Sequence, residues 1–226
     1  MCFYDCTNVT VERNLLLGFR TYSDGIMMSE CVDSVGRYNF VRTGDDAIEF
    51  KATGWGRGQN VGNNCLYEYN DVWTDKATAY GLIWENTKDL YDMTFRHNTV
   101  GFAQPTWTDW MPALNVRLGV NPNARWGDTI FEDIEIYHVI APNVITIQVK
   151  DGGAICENIT FKNIRVKSTE EGVYLFRMIY GGVGSIKDIQ LEDINFCGKM
   201  IKAEDKENRN IFNNQAGNFF KEVTIK

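Results

Sequence analysis

Apolar and polar residues alternate along this chain in short runs broken by Gly, Asn and Asp, and long apolar patterns at i, i+3, i+4 are scarce. The C-terminal half repeats itself. "GDTIFEDIEI" from Gly127, "ENITFKNIRV" from Glu157 and "KDIQLEDINF" from Lys187 start 30 residues apart. Phe131, Phe161 and Leu191 align, as do Asp133, Asn163 and Asp193, and then Ile134, Ile164 and Ile194. Weaker copies start upstream at Leu90, Gln59, Glu30 and Thr7. Such a period, with strand-like content and Asn, Asp and Gly at fixed offsets, is the signature of a solenoid. Asn and Asp recur because their side chains bond nearby backbone groups and tolerate left-handed bends. The expectation is an all-β fold, a right-handed parallel β-helix of about seven turns, forming one domain over residues 1–226. At ~4.8 Å per turn it would be a rod on the order of 35 Å long. The polar stretch "KAEDKENRNIFNNQAGN" is expected to close the open sheet edge before a last strand, "FFKEVTIK". "NVT" at Asn8 and "NIT" at Asn158 match the glycosylation pattern, but they also read as turn-plus-strand chemistry repeated by the solenoid.

Composition narrows the function. The 226 residues carry a formal charge of −7, with no Lys/Arg cluster, which argues against nucleic acid and against long acidic polysaccharides. No run approaches the ~18 consecutive apolar residues of a membrane span. "MCFYDCTNVT" lacks the basic and apolar regions of a signal peptide and already reads as strand. The natural protein is therefore expected to be longer, with this unit cut from a modular parent. The six cysteines, Cys2, Cys6, Cys31, Cys65, Cys156 and Cys197, form no C-x-x-C pair, and with only His97 and His138 available a zinc site is not expected. Most are expected as buried free thiols. A Cys2–Cys6 pair, suited to an extracellular protein, stays open beside that.

A second series of short strands lies between the repeats: "SDGIMMS", "GDDAIEFKA", "AYGLIWEN" and "NVRLGVN". Parallel strands of successive turns set equivalent outward residues side by side, which would gather Asp24, Asp45 and Asp46 on one outer face. Three carboxylates so placed raise one another's pKa, so that one stays protonated as an acid while another is ionised as a base. An inverting glycosidase needs such a pair with room for a water. Clustered carboxylate oxygens also suit calcium, although no D-x-[DN]-x-[DN]-G loop is present. The opposite reading is that Asp45 and Asp46 are turn residues of the solenoid.

"YSDGI", "GDDAIEFK" and "VRLGV" resemble the N-T-D, G-D-D-C-I-A-I-K and R-I-K motifs of glycoside hydrolase family 28, over roughly residues 20 to 165. The resemblance implies a right-handed β-helix and cleavage of pectic chains by inversion. The related family 49 dextranases also carry clustered aspartates on this fold. The chain departs from the pattern in several places. N-T-D becomes Tyr22-Ser23-Asp24, G-H-G is best matched by Ala79-Tyr80-Gly81, and at R-I-K Arg117 stays while the lysine becomes Gly119. Arg and Lys there would hold a substrate carboxylate, so losing the Lys argues against pectin.

Aromatic residues complete the candidate surface. "QPTWTDWMP" puts Trp107 and Trp110 in an insertion, since 36 residues separate Phe95 from Phe131, and Trp55 stands among glycines in "TGWGRGQN". Flat rings stack on sugar rings while polar neighbours bond the hydroxyls. They serve equally as pins holding a loop to the rod. Trp84 alternates with Leu82 and is expected in the core, like Phe50 beside Ile48. Glu49, Lys51, Tyr80, Glu85 and Arg117 are expected to point outward beside the aspartates.

The leading expectation is a non-catalytic carbohydrate-binding module. In size, fold and eroded site it resembles the β-helical family 89 modules attached to xylan-degrading enzymes of gut bacteria. That resemblance implies a neutral plant polysaccharide such as xylan, a catalytic domain in the same parent chain, a monomer, and secretion or display at the cell surface. The alternative is an inverting glycoside hydrolase of polygalacturonase or dextranase type, using Asp24, Asp45 and Asp46. A third class is a structural β-helix, which as a fibre segment would be a trimer.

Overall fold

A computed structural model describes residues 1–56, 61–104, 111–119, 121, 123–150, 154–180, 185–214 and 219–226. Strands stack in parallel as a β-solenoid. One sheet has eight strands in chain order: Cys2–Tyr4, Ile26–Ser29, Ile48–Ala52, Tyr80–Asn86, Leu114–Leu118, Asn143–Val149, Tyr174–Tyr180 and Phe212–Asn214. The other has 14 strands. It climbs one face from Thr10–Glu12 to Leu90–Arg96, joins the long strand Arg125–Ile136, and descends a second face from Thr99–Ala103 to Leu15–Leu17. Among the described residues only the hairpin of Asn195–Phe196 with Lys199–Met200 pairs antiparallel.

Every repeat aligned in the sequence is a turn. Tyr67, Phe95, Phe131, Phe161, Leu191 and Ile225 lie in register on one face. The turn count of about seven needs a qualification. Five turns, from Ile48–Ala52 onward, carry a strand of seven or more residues, while the two before them use strands of three or four. "FFKEVTIK" also opens differently from the expectation. Phe219–Glu222 is one helical turn, and only Val223–Ile225 is strand. Upstream of it Phe212–Asn214 adds a last rung, paired with Tyr174–Tyr180.

The core is a continuous stack of like on like. Phe95 and Phe131 stack with centroids 4.5 Å apart and planes 8° apart, and Phe131 and Phe161 follow at 4.9 Å and 15°. The six cysteines are free thiols. Cys31, Cys65 and Cys156 are buried, Cys6 is half-buried, and Cys2 and Cys197 are exposed.

An asparagine ladder closes one corner. Asn39 Oδ1 accepts from the Asn14 amide at 3.0 Å, Asn70 Oδ1 from the Asn39 amide at 3.0 Å, and Asn98 Oδ1 from the Asn70 amide at 2.9 Å. Each corner turns on the residue just before, since Arg13, Tyr38, Tyr69 and His97 all hold positive φ. Asp133, Asn163 and Asp193 continue that preceding column, also at positive φ, rather than the ladder. Asn8 and Asn158 hold positive φ as well, in keeping with their reading as turn residues.

Asn70 is fully buried and bonds on both sides of the ladder, donating to the Gly36 carbonyl at 3.0 Å. Asn70→Ala strands the Asn39 amide and the Gly36 carbonyl. We expect it to cost about 3 kcal/mol, roughly 6–12 °C in Tm. Thermal unfolding checks this, and a shift under about 2 °C would contradict it.

A carboxylate cleft on the eight-stranded sheet

Chain crossings bring the three aspartates together. Asp24 precedes Ile26–Ser29, and Asp45 and Asp46 precede Ile48–Ala52 one turn on. The Gly25 amide bonds the Asp46 carbonyl at 2.9 Å and the Ile26 amide bonds the Ala47 carbonyl at 2.9 Å. A Cβ at Gly25 would lie 2.1 Å from the Ala47 oxygen, so "SDG" needs its glycine to let Asp24 approach. One carboxylate oxygen from each of Asp24, Asp45 and Asp46 lies within 4.8 Å of the others.

These aspartates open into a cleft of ≈ 280 Å³, which Lys51, Trp55, Glu85 and Arg117 also line. Glu49 sits beneath it, 0 % exposed, with Lys51 Nζ 3.3 Å from its Oε2. Lys51 Nζ is also 3.1 Å from Glu85 Oε2 and 4.0 Å from Asp24 Oδ2. Trp55 stands at the rim, 69 % exposed, with its ring 6.3 Å from that of Tyr4. Tyr22, 82 % exposed, lines the rim as well. Trp107 and Trp110 lie outside the described residues.

Two sequence expectations are corrected. Tyr80 does not face the cleft. It is 0 % exposed, stands in register with Ile48 and Leu114, and its hydroxyl donates to the carbonyls of Asn70 at 2.8 Å and Thr99 at 3.1 Å. Residues two apart on a strand share a face, so Tyr80 points inward with Leu82. The outward position between Glu49 and Asn115 is Gly81, which offers no side chain where the family pattern has histidine. Trp84 is the converse case. The register breaks between Leu82 and Asn86, Trp84 holds φ 54°, and its ring turns out to line the cleft.

Trp84 also explains Gly119. A Cβ there would fall 1.9 Å from Trp84 Cζ3, so the indole occupies the space a lysine side chain would need. Arg117 lies over the same ring, its Cζ 3.7 Å from the centroid. Where the family 28 pattern has an Arg–Lys pair, this chain has an Arg–Trp stack.

The electrostatics separate the carboxylates. Burial raises Asp45 to about 7, reinforced by the charges of Asp46 and Asp24. Burial raises Asp46 to about 6, opposed by the Lys51 ammonium and by the Thr78 amide, which donates to Asp46 Oδ1 at 3.0 Å. Glu49 is pushed well above the carboxylate range by burial, with Lys51 opposing. Burial alone would lower Lys51, but Glu49, Glu85, Asp24 and Asp46 together raise it. Burial lowers Arg117 to about 10. Five carboxyl groups thus share the cleft and its floor with two cations.

No family, no curated protein and no solved structure matches the chain. The motifs shared with the family 28 hydrolases therefore stand as a resemblance of residues. Among the described residues no helix is long and apolar enough to cross a membrane.

Proposed function

We propose that the cleft hydrolyses glycosidic bonds of a neutral polysaccharide, with Asp45 as the acid. The observation that carries this reading is the convergence of three carboxyl groups within 4.8 Å, with Asp45 raised to about 7 beside Asp46 at about 6. A protonated and an ionised carboxyl side by side are what acid–base cleavage requires near neutral pH. Oxygens within 4.8 Å of one another are close enough for one water to bond two of them at ordinary lengths. In this reaction a water held by Asp24 and Asp46 attacks the anomeric carbon and gives its proton to a carboxylate. The C–O bond breaks as Asp45 passes its proton to the leaving oxygen. The product would have inverted configuration, which proton NMR of the first-formed sugar reads directly.

Net negative charge in the cleft supports a neutral chain over a polyuronate. Xylan is the first to try, given the resemblance to xylan-associated modules, and a polymer of that size places the protein outside the cell or at its surface. Lys51 supplies positive charge 4.0 Å from Asp24. We therefore take the reaction to need no calcium and expect EDTA to leave the rate unchanged.

The second reading is a module that only binds. The exposed rings of Trp55 and Tyr22 at the rim favour it, because such faces stack on sugars with or without cleavage. Both readings use Trp55. We expect Trp55→Ala to leave Tm within about 1 °C and to weaken KM or affinity on the order of tenfold, with kcat nearly unchanged. Initial rates and affinity electrophoresis measure this, and unchanged binding would remove Trp55 from the site. Hydrolysis is tested by reducing-sugar release from wild type and Asp45→Asn.

A further inference from the structure

The outer face beside the cleft carries a row of rings that the reaction above does not use. Arg42, Trp73 and Phe102 stand in register on Phe40–Thr43, Asp71–Thr74 and Thr99–Ala103. Phe19, on the connection after Leu15–Leu17, begins the row, 69 % exposed and with its ring centroid 6.0 Å from Arg42 Cζ. Arg42 Cζ lies 5.6 Å from the Trp73 ring, Trp73 lies 6.3 Å from Phe102, and Phe102 stacks on His138 at 5.9 Å. Trp73 is 41 % exposed. The core beneath is already filled by Val72 and Val100, both fully buried.

A bulge builds the row. Val100 pairs with Val72 but Phe102 pairs with Trp73, so Gly101 is an extra residue in its strand. Without the slip Phe102 would stand against Thr74, which is buried, and would point inward with it. A Cβ at Gly101 would fall 2.1 Å from Trp73 Nε1, so the indole lies across the next turn, in space that only glycine leaves free. Polar groups are fixed between the rings. Arg42 donates through Nε and Nη2 to the two Asp75 oxygens at 2.7 and 3.0 Å, and His138 Nδ1 lies 2.8 Å from Ser168 Oγ.

Exposed rings with fixed polar groups beside them suit sugar rings, which stack on one and bond the other. The row runs in single file, which fits one extended chain better than the broad patch a protein partner buries. Arg42 is already neutralised by Asp75, which favours hydroxyls over carboxylates. The row also adjoins the cleft. Phe19 and Arg20 line a depression of ≈ 440 Å³ with Leu17 and Ser23, and the same connection carries Tyr22 and Asp24 into the cleft. We propose that Phe19, Trp73 and Phe102 form a second binding track for a neutral polysaccharide, which holds one stretch of the chain while the cleft takes another. The identity of the ligand rests on the polysaccharide reading of the cleft.

Affinity gels cast with xylan, dextran or polygalacturonate read the track, and sugar release from a short xylo-oligosaccharide reads the cleft alone. Trp73→Ala is expected to weaken binding to the neutral polysaccharide on the order of tenfold, with the rate on the short substrate within about twofold of wild type. Phe19→Ala, at a more exposed ring, should show the same split even if Trp73→Ala folds poorly. Retardation of wild type on xylan or dextran that both variants keep overturns the track and leaves the cleft reading standing. Retardation lost in Trp73→Ala, in a protein that releases no sugar, keeps the track and sinks hydrolysis. Wild type that neither neutral polysaccharide retards overturns the track, whether or not sugar is released, and so does stronger retardation on polygalacturonate. A dimer in sedimentation that Trp73→Ala splits would make this face a self-contact and overturn the track as well.

Discussion

Asp45→Asn is expected to cut kcat/KM roughly a thousandfold, since a general acid contributes about that much. It should also make the protein more stable above neutral pH. Asp45 is raised to about 7 in the fold from its ordinary value of 3.8, so the folded chain holds a proton that the unfolded chain releases. The stability tied to that proton is complete below about pH 4 and is lost as pH rises through about 7. A shift of about three units corresponds to on the order of 4 kcal/mol at pH 8. The asparagine variant escapes this loss. Its Tm should match wild type at pH 4 and exceed it at pH 8, as thermal unfolding at the two pH values would read. A variant less stable at pH 8 would mean that Asp45 is ionised and satisfied in the fold. The wild-type rate should be bell-shaped, with its summit between about 6 and about 7. Those limbs belong to the coupled pair rather than to either residue alone.

Phe131→Ala is the largest effect expected on the fold. Phe131 is fully buried and stacked on Phe95 below and Phe161 above. Truncation opens a cavity in the middle of the stack, with each neighbouring ring held by its own turn and unable to collapse into it. The expected cost is about 3–5 kcal/mol, roughly 6–20 °C in Tm. The equivalent change at Ile225, in the closing strand of the same column, should cost less because that column ends there. Equal losses at the two positions would contradict a stack held from both sides.

The solenoid was readable from sequence because its period is written in residues that must superpose. A ring at 131 demands a ring or a large aliphatic at 161 and 191, and the alignment of Phe131, Phe161 and Leu191 is that demand. The aspartate cluster was readable for a related reason, since "SDG" and "GDD" fall at equivalent places in consecutive turns. Phase was harder. Aligning Ala79-Tyr80-Gly81 with a G-H-G motif put Tyr80 outside, although Leu82 two residues on was read as core. The shared face of residues two apart was the better guide. Trp84 escaped because a break in register and one left-handed residue reverse the alternation, and neither leaves a mark in composition. Gly119 was the available signal. A glycine where the pattern has lysine implies that something large lies over it. The asparagine ladder hid for a different reason, because Asn14, Asn39, Asn70 and Asn98 lie at unequal spacings in turns whose other residues diverge.

The most direct test of hydrolysis is to incubate the chain with neutral and acidic polysaccharides, xylan among them, and read gel retardation and reducing-sugar release on the same samples. Sugar released from a neutral chain by wild type, lost in Asp45→Asn while retardation persists, is the predicted result. Retardation by wild type with no sugar released would contradict catalysis and leave a binding cleft in its place.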